Sequence, residues 1–183
     1  MTGSAAEPRG LSQVEMAAGR KAAQLECEVF LKQHLGLLYR VAASYEAEPA
    51  RREDLLQEIA LAVWRAASRY ESRSSFKTFA LRIAHNRGIS HCTREARAPE
   101  LVDLSEEQRS PGHDPESATE RAQLQEALPR AVRRLPLAQR QIVGMALEGL
   151  SYAEIAEVLD ISVSNVGVRL NRARTRLREI MNA

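Results

Sequence analysis

The chain is poor in cysteine, aromatic residues and lysine, and each shortage narrows the possibilities. Only two cysteines occur, Cys27 and Cys92, far apart in 183 residues. That is too few for a disulfide framework and suits a reducing compartment. Aromatic residues make up 4% of the chain, which favours small helical cores of Leu, Ile, Val and Ala over a large sheet sandwich. No segment alternates apolar and polar residues as a half-buried strand would. No apolar run approaches the ~20 residues needed to cross a membrane. The opening MTGSAAEPRG lacks a signal-peptide core, so a soluble, cytoplasmic chain without membrane insertion is expected. There is no glycine-rich phosphate loop, no nucleophile beside an evident base and no paired-carboxylate site. Neither catalysis nor a cofactor is expected.

What is abundant is arginine, with 23 of the 26 basic residues, and its distribution is uneven. The formal charge of +2 conceals −1 over residues 1–50, +5 over 51–97, −6 over 98–120 and +4 over 121–183. Two basic blocks are thus separated by an acidic one, and guanidinium is the better fork for phosphates and guanine edges.

The apolar periodicity divides the chain. Residues 1–24 read as an N-terminal tail, with no sustained pattern before about residue 20. A first helix is expected from Glu26 to Tyr45, with Val29, Phe30, Leu37, Leu38 and Val41 as its apolar residues. Glu48-Pro49 interrupts it. A second helix from about Ala50 carries Leu55, Leu56, Ile59, Val63 and Trp64 on one stripe, with Glu53, Asp54, Gln57, Glu58 and Ala62 off it. After the polar loop Tyr70–Ser75, a third helix runs from Phe76 to about Arg94. Phe76, Phe79, Ala80, Ile83 and Ala84 should face inward, and Lys77, Arg82 and Arg87 outward. Residues 98–119 hold three prolines and the acidic excess, and read as a linker. Helices resume near Glu120 with Leu124, Leu128, Val132 and Leu135 in register. Pro129 should kink or break that helix. A further helix, Ala138–Leu147, is closed by Gly149. The expected fold is all-α, with small helical domains at 25–97 and 120–183 joined by the acidic linker.

The segment LSYAEIAEVLDISVSNVGVRLNRARTRLRE (150–179) carries the most information. Ser151 and Glu154 form a capping box for a short helix with Ile155, Ala156 and Leu159 inward. Asp160-Ile161-Ser162 has the length of a helix-turn-helix turn, with Ile161 plugging the core and Ser162 capping the next helix. Val163, Val166, Leu170, Ala173 and Leu177 then mark the inward stripe. Asn165, Arg169, Arg172 and Arg176 lie beside it, while Ser164, Val168, Asn171 and Thr175 point outward. Such a face suits the major groove, where an amide reads adenine and arginine reads guanine or clamps phosphate. Arginines that merely solvate a terminal helix and favour its macrodipole are the plain alternative. Gly167, in the helix interior, either permits close approach to DNA or is simply tolerated.

This second half resembles region 4 of bacterial sigma factors of the extracytoplasmic-function class. The resemblance is carried by Leu135-Pro136, Arg140, GLSYAEIAEVLDIS, Val166, Arg169-Leu170, Arg172-Ala173-Arg174 and Leu177-Arg178. The first half resembles region 2 of the same class through EDLLQEIALAVW (53–64) and SSFKTFALRIAHNRGIS (74–90). The resemblance implies a dissociable specificity subunit that binds the clamp and flap of core RNA polymerase and promoter DNA, with an anti-sigma factor as a further candidate partner. It implies clamp contacts for Asp54, Gln57, Glu58, Leu61 and Trp64, although Leu61 and Trp64 could equally be core. Tyr70, Arg73, Ser74, Ser75 and Phe76 would form a pocket for a base flipped from the non-template strand. Lys77, Arg82, Asn86, Arg87 and Arg94 would hold that strand. Ser162, Ser164, Asn165, Arg169, Arg172, Arg174 and Arg176 would meet the minus-thirty-five element. Phe79 stands where the family usually has tryptophan, Ser90 where aspartate is common, and Thr93 where a basic residue is. Gly167 and Val168 replace a basic and a small polar residue, so minus-thirty-five readout is expected to be altered.

Two other readings fit the residues. One is a helix-turn-helix regulator whose first half senses or dimerises; the other is a protein-binding adaptor. His85, His91 and Cys92 lie close in sequence, but structural roles are expected for them rather than metal ligation.

Overall fold

The computed structural model describes residues 13–97 and 119–182, and every regular element among them is helical. The elements are α1 (Gln13–Ala43), α2 (Pro49–Ala67), α3 (Phe76–Glu95), α4 (Thr119–Arg133), α5 (Leu137–Leu147), α6 (Tyr152–Leu159) and α7 (Val163–Asn182). The expected linker, apart from its last residue, and residues 1–12 of the expected tail lie outside the described residues.

Local chemistry sets most boundaries. Pro49 opens α2, where its missing N–H costs nothing. Ser75 caps α3 by accepting from the Thr78 N–H at 3.1 Å. Gly149, at φ +82, turns the chain out of α5. The capping box of Ser151 and Glu154 is complete, and Asp160 ends α6 in the left-handed region at φ +51, which aspartate tolerates. Ser162 accepts from the Asn165 N–H at 3.3 Å and so caps α7.

Two expectations about the elements need correction, and a third, a kink or a break at Pro129, loses its second arm. The first helix begins at Gln13, well before Glu26, and is interrupted at His34, whose φ of −120 and ψ of 21 are not helical. α4 passes through Pro129 without ending. Residue 119, placed in the linker by sequence, is already helical.

The core is aliphatic, with a small aromatic cluster. Leu38, Val41, Leu55, Ile59, Val63, Leu81 and Ala84 close the space between α1, α2 and α3. Phe30, Phe76, Phe79 and Tyr70 stack beside them at centroid distances of 5.0–5.6 Å. Val132, Leu135, Ile142, Met145, Ile155, Val166 and Leu170 do the same for α4–α7. Each such leucine or isoleucine contributes about 1.5–3 kcal/mol by leaving water. These two sets of buried residues merge into one continuous cluster. Five assignments of face differ from the sequence pattern, that of Lys77 among them. Val29 and Val163 are exposed, Trp64 is 36% exposed, and Ala62 is buried.

Candidate nucleic-acid interface

Helices α6 and α7 meet through the turn Asp160-Ile161-Ser162, and Ile161 packs against the core. Val166, Leu170 and Ala173 fix the roll of α7 by burial against α4, α5 and α6. That roll leaves Ser162, Ser164, Asn165, Arg169, Arg172, Arg174 and Arg176 all exposed. Among the described residues, no carboxylate pairs with any of these arginines. The cationic face is therefore not neutralised by its own protein. Gly167 is half-buried, and a Cβ there would meet only Tyr152 Cε2, at 3.7 Å.

Helix α3 carries the second basic surface. Arg82, Asn86, Ser90 and Arg94 recur every four residues and are exposed, as is Arg87 beside them. Arg82 also lies over the Phe79 ring at 5.8 Å. Lys77, expected to face outward with them, is half-buried and turned the other way; its ammonium donates to the Glu148 carbonyl at 2.5 Å.

The loop before α3 is held by its own residues. The Tyr70 hydroxyl donates to the Ser74 carbonyl at 2.6 Å, and its ring meets Phe76 edge-on. Phe76 is only 5% exposed, so in this packing its ring faces the core rather than an open pocket. Arg73 is exposed and paired with Glu71 at 2.7 Å, Ser74 is half-buried and Ser75 exposed. Ser72 adopts φ +54, a left-handed turn that sequence reasoning missed because serine is not its usual occupant.

On α2 the buried residues Leu55, Ile59 and Val63 turn Asp54, Gln57, Leu61 and Trp64 to the surface, with Glu58 half-buried beside them. Leu61 is 52% exposed. This resolves the choice left open by sequence: neither Leu61 nor Trp64 is core. Glu58 and Arg94, from α2 and α3, form an ion pair at 3.2 Å.

Two buried histidines are tied to neighbouring side chains. His91 Nε2 bonds Glu46 at 2.8 Å. Burial raises the Glu46 carboxyl, but hydrogen bonds from the Glu48 N–H, His91 and the Ala47 N–H, with Arg51 nearby, bring it below its usual value. His85 is fully buried and shares a 2.9 Å hydrogen bond with the Tyr45 hydroxyl. Among the described residues no group of three or more His, Cys, Asp or Glu is placed to hold a metal ion. No helix among them is long and apolar enough to cross a membrane.

Two family models match in order: Sigma-70 region 2 over residues 30–98 and Sigma-70 region 4 over residues 125–177. The chain is similar to the ECF RNA polymerase sigma factor RpoE of Cereibacter sphaeroides, at 33% identity over 137 residues, covering 73% of this chain and 74% of that protein. It is 29% identical over 178 residues to the ECF sigma factor SigE of Mycolicibacterium smegmatis, covering 96% of this chain and 68% of the relative. The fold matches that of CnrH, solved in complex with the cytosolic domain of CnrY, with a TM-score of 0.63 and 21% identity over 91% of this chain and 94% of that one. It also matches RpoE from Bartonella quintana, solved with the anti-sigma factor NepR, with a TM-score of 0.63 and 22% identity over 85% and 96% of the two chains. With both regions present in the family's order and a relative one-third identical across three-quarters of its length, the chain belongs to the extracytoplasmic-function class of bacterial RNA polymerase sigma factors.

Proposed function

We propose that this chain acts without covalent chemistry, in the cytoplasm, by reading two promoter elements with two surfaces while a third holds core RNA polymerase. Membership of the family makes it a promoter-directing initiation factor whose partners are core polymerase and promoter DNA. The division of labour among residues is our reading.

The observation that carries it is α7. A helix-turn-helix capped at both helices presents Ser162, Ser164, Asn165, Arg169, Arg172, Arg174 and Arg176, with no carboxylate partner for the arginines among the described residues. Such a surface binds phosphates and base edges of the minus-thirty-five element. Arg82, Asn86, Arg87 and Arg94 on α3 track the non-template strand at the minus-ten element, joined by Lys77 once it leaves Glu148. Arg73, Ser74 and Ser75 bond an extruded base, and Tyr70 and Phe76 shape the loop around it. Unstacking costs a few kcal/mol per step, which strand contacts offset. Asp54, Gln57, Glu58, Leu61 and Trp64 dock on the polymerase clamp, and the region 4 half meets the flap. The domains divide at 25–97 and 120–183, and the acidic segment between them is repelled by duplex phosphates. An anti-sigma factor is a further partner by analogy with the complexes that NepR and CnrY form.

The test is run-off transcription with sigma-free core polymerase on fragments of the source genome, with transcript starts mapped. Discrete starts that require the purified chain are expected. Starts that appear only when a second sigma factor is added would instead identify a helix-turn-helix regulator.

A further inference from the structure

Part of the surface read as the minus-ten contact is occupied by helices α5 and α6. Lys77 donates to the Glu148 carbonyl at 2.5 Å, and Thr78, hydrogen-bonded to Ser75, donates to the Glu154 carboxylate at 2.7 Å. From α1, Arg40 grips the Glu148 carboxylate through two bonds, at 2.9 and 2.7 Å. Beneath these contacts lies His85. Its Nδ1 is bonded to Tyr45, whereas its buried Nε2 has no partner among the described residues. Gly144 of α5 rests directly on the ring: a Cβ there would fall 2.5 Å from Cε1 and 3.2 Å from Nε2. The slot over His85 is therefore sealed by a helix from the other half of the chain.

We propose that this packing is a closed form that withholds the Lys77 end of the strand-reading surface, and that protonation of His85 opens it. The functional consequence rests on the sigma reading of α3; the opening does not. A neutral imidazole fits a slot with one hydrogen-bond partner. An imidazolium carries N–H on both ring nitrogens and a full charge; Tyr45 can accept from Nδ1, but Nε2 faces no acceptor and no carboxylate bonds the ring.

The surrounding groups do not compensate it. From α1 and the turn after it, Tyr45 presents a neutral hydroxyl, pushed up by burial, and the Glu46 carboxylate is already engaged by His91. From α5, the Arg140 guanidinium lies over the Tyr45 ring at 5.6 Å and opposes a second cation. On α3, the Cys92 thiol is pushed up by burial and contacts Arg140 at 3.5 Å. From α6, Glu154 is taken by Thr78 and by its own cap.

The sign follows from burial. Closed, His85 is pushed down to about 3 by desolvation; released, it returns to its ordinary value of about 6.5. Closure is therefore at full strength above that value and weakens as pH falls below it. Between about pH 8 and about pH 5.5 the open-to-closed ratio should rise about tenfold.

The experiment uses single-molecule energy transfer in the full chain. Dyes are placed at exposed Arg65→Cys and Arg178→Cys, with Cys27→Ala and Cys92→Ser removing the native thiols. The labelled parent should be closed at about pH 8 and show the tenfold shift. His85→Gln, whose amide oxygen can still accept from Tyr45, should stay closed with a flat response. Gly144→Ala should be open at both ends of the range. An equal acid response in His85→Gln, a closed Gly144→Ala, or a parent already open at high pH would each overturn the proposal. Run-off transcription separates the two readings. A chain that initiates but shows no His85-dependent opening refutes the switch alone; one that opens as expected but directs no initiation refutes the promoter reading alone.

Discussion

Replacing Gly167 with alanine should stabilise the protein, while the same change at Gly88 should destabilise it. Both glycines sit inside helices, and neither has the positive φ that would demand glycine. Alanine gains about 1 kcal/mol of helix propensity at either position. Their neighbours decide the sign. At Gly167 the new methyl meets only Tyr152 Cε2 at 3.7 Å, an ordinary van der Waals contact, so the gain stands. At Gly88 it would fall 2.3 Å from Tyr45 Cδ2 and 2.5 Å from Cγ. Those atoms form the base of a buried ring tethered to His85, so the ring cannot simply swing aside. Overpacking of this kind costs about 1–3 kcal/mol and outweighs the propensity gain. Urea unfolding followed by helical circular dichroism should move the midpoint up for Gly167→Ala and down for Gly88→Ala. A Gly167→Ala protein no more stable than the parent would refute the reasoning. Promoter affinity measured alongside addresses the glycine's purpose: a loss of tenfold or more in the more stable variant would mean that DNA needs the bare backbone there.

Arg169→Ala and Arg172→Ala should each weaken binding of promoter duplex with helicity unchanged. A residue that touches phosphate should also reduce the salt slope by about one, measurable by anisotropy across a salt series. Trp64→Ala should weaken association with core polymerase by about 2 kcal/mol, as a central aromatic anchor does, and leave duplex binding untouched in a pull-down and anisotropy pair. Ser151→Ala should cost about 1 kcal/mol through the lost cap, read as a lower unfolding midpoint. Glu154 is held below its usual value by the Thr78 hydroxyl and then by Ser151. Its stabilisation is therefore present above the ordinary glutamate range and lost as pH falls through the lowered value. Ser151→Ala should narrow that acid-side loss in a pH series of melts.

Features set within one turn of chain were legible in advance. Ser151, Glu154, Gly149 and Ser162 announce caps and a terminator because the groups they satisfy lie three or four residues away. The roll of α7 followed from Val166, Leu170 and Ala173, since a stripe at three and four has one inward side. Residues at the ends or margins of stripes were harder. Val163 begins α7 and Trp64 lies at the rim of α2, so periodicity included both where burial did not. Ala62 shows the converse, a small residue drawn in because its neighbours pack closely. Long-range pairing left no trace in periodicity. Lys77 reads as one more outward cation, and only the fold brings the Glu148 carbonyl to it. The same holds for Gly144 over His85, 59 positions apart in the chain: a glycine in a helix and a histidine in another carry no mutual signal. In the loop, Phe76 looks free to stack on a base until Phe30, Tyr70 and Phe79 are found around it.

The ion pair between Glu58 and Arg94 joins the face proposed to meet polymerase and the face proposed to meet the unpaired strand. Alone in solution, the two charges cancel. Should a cation on the enzyme claim the glutamate, the arginine would be left without its counter-charge at the far end of α3. The pull on an unpaired strand would then strengthen by one elementary charge just when a strand is needed. Loading on the polymerase would in that case favour strand capture by simple neutralisation.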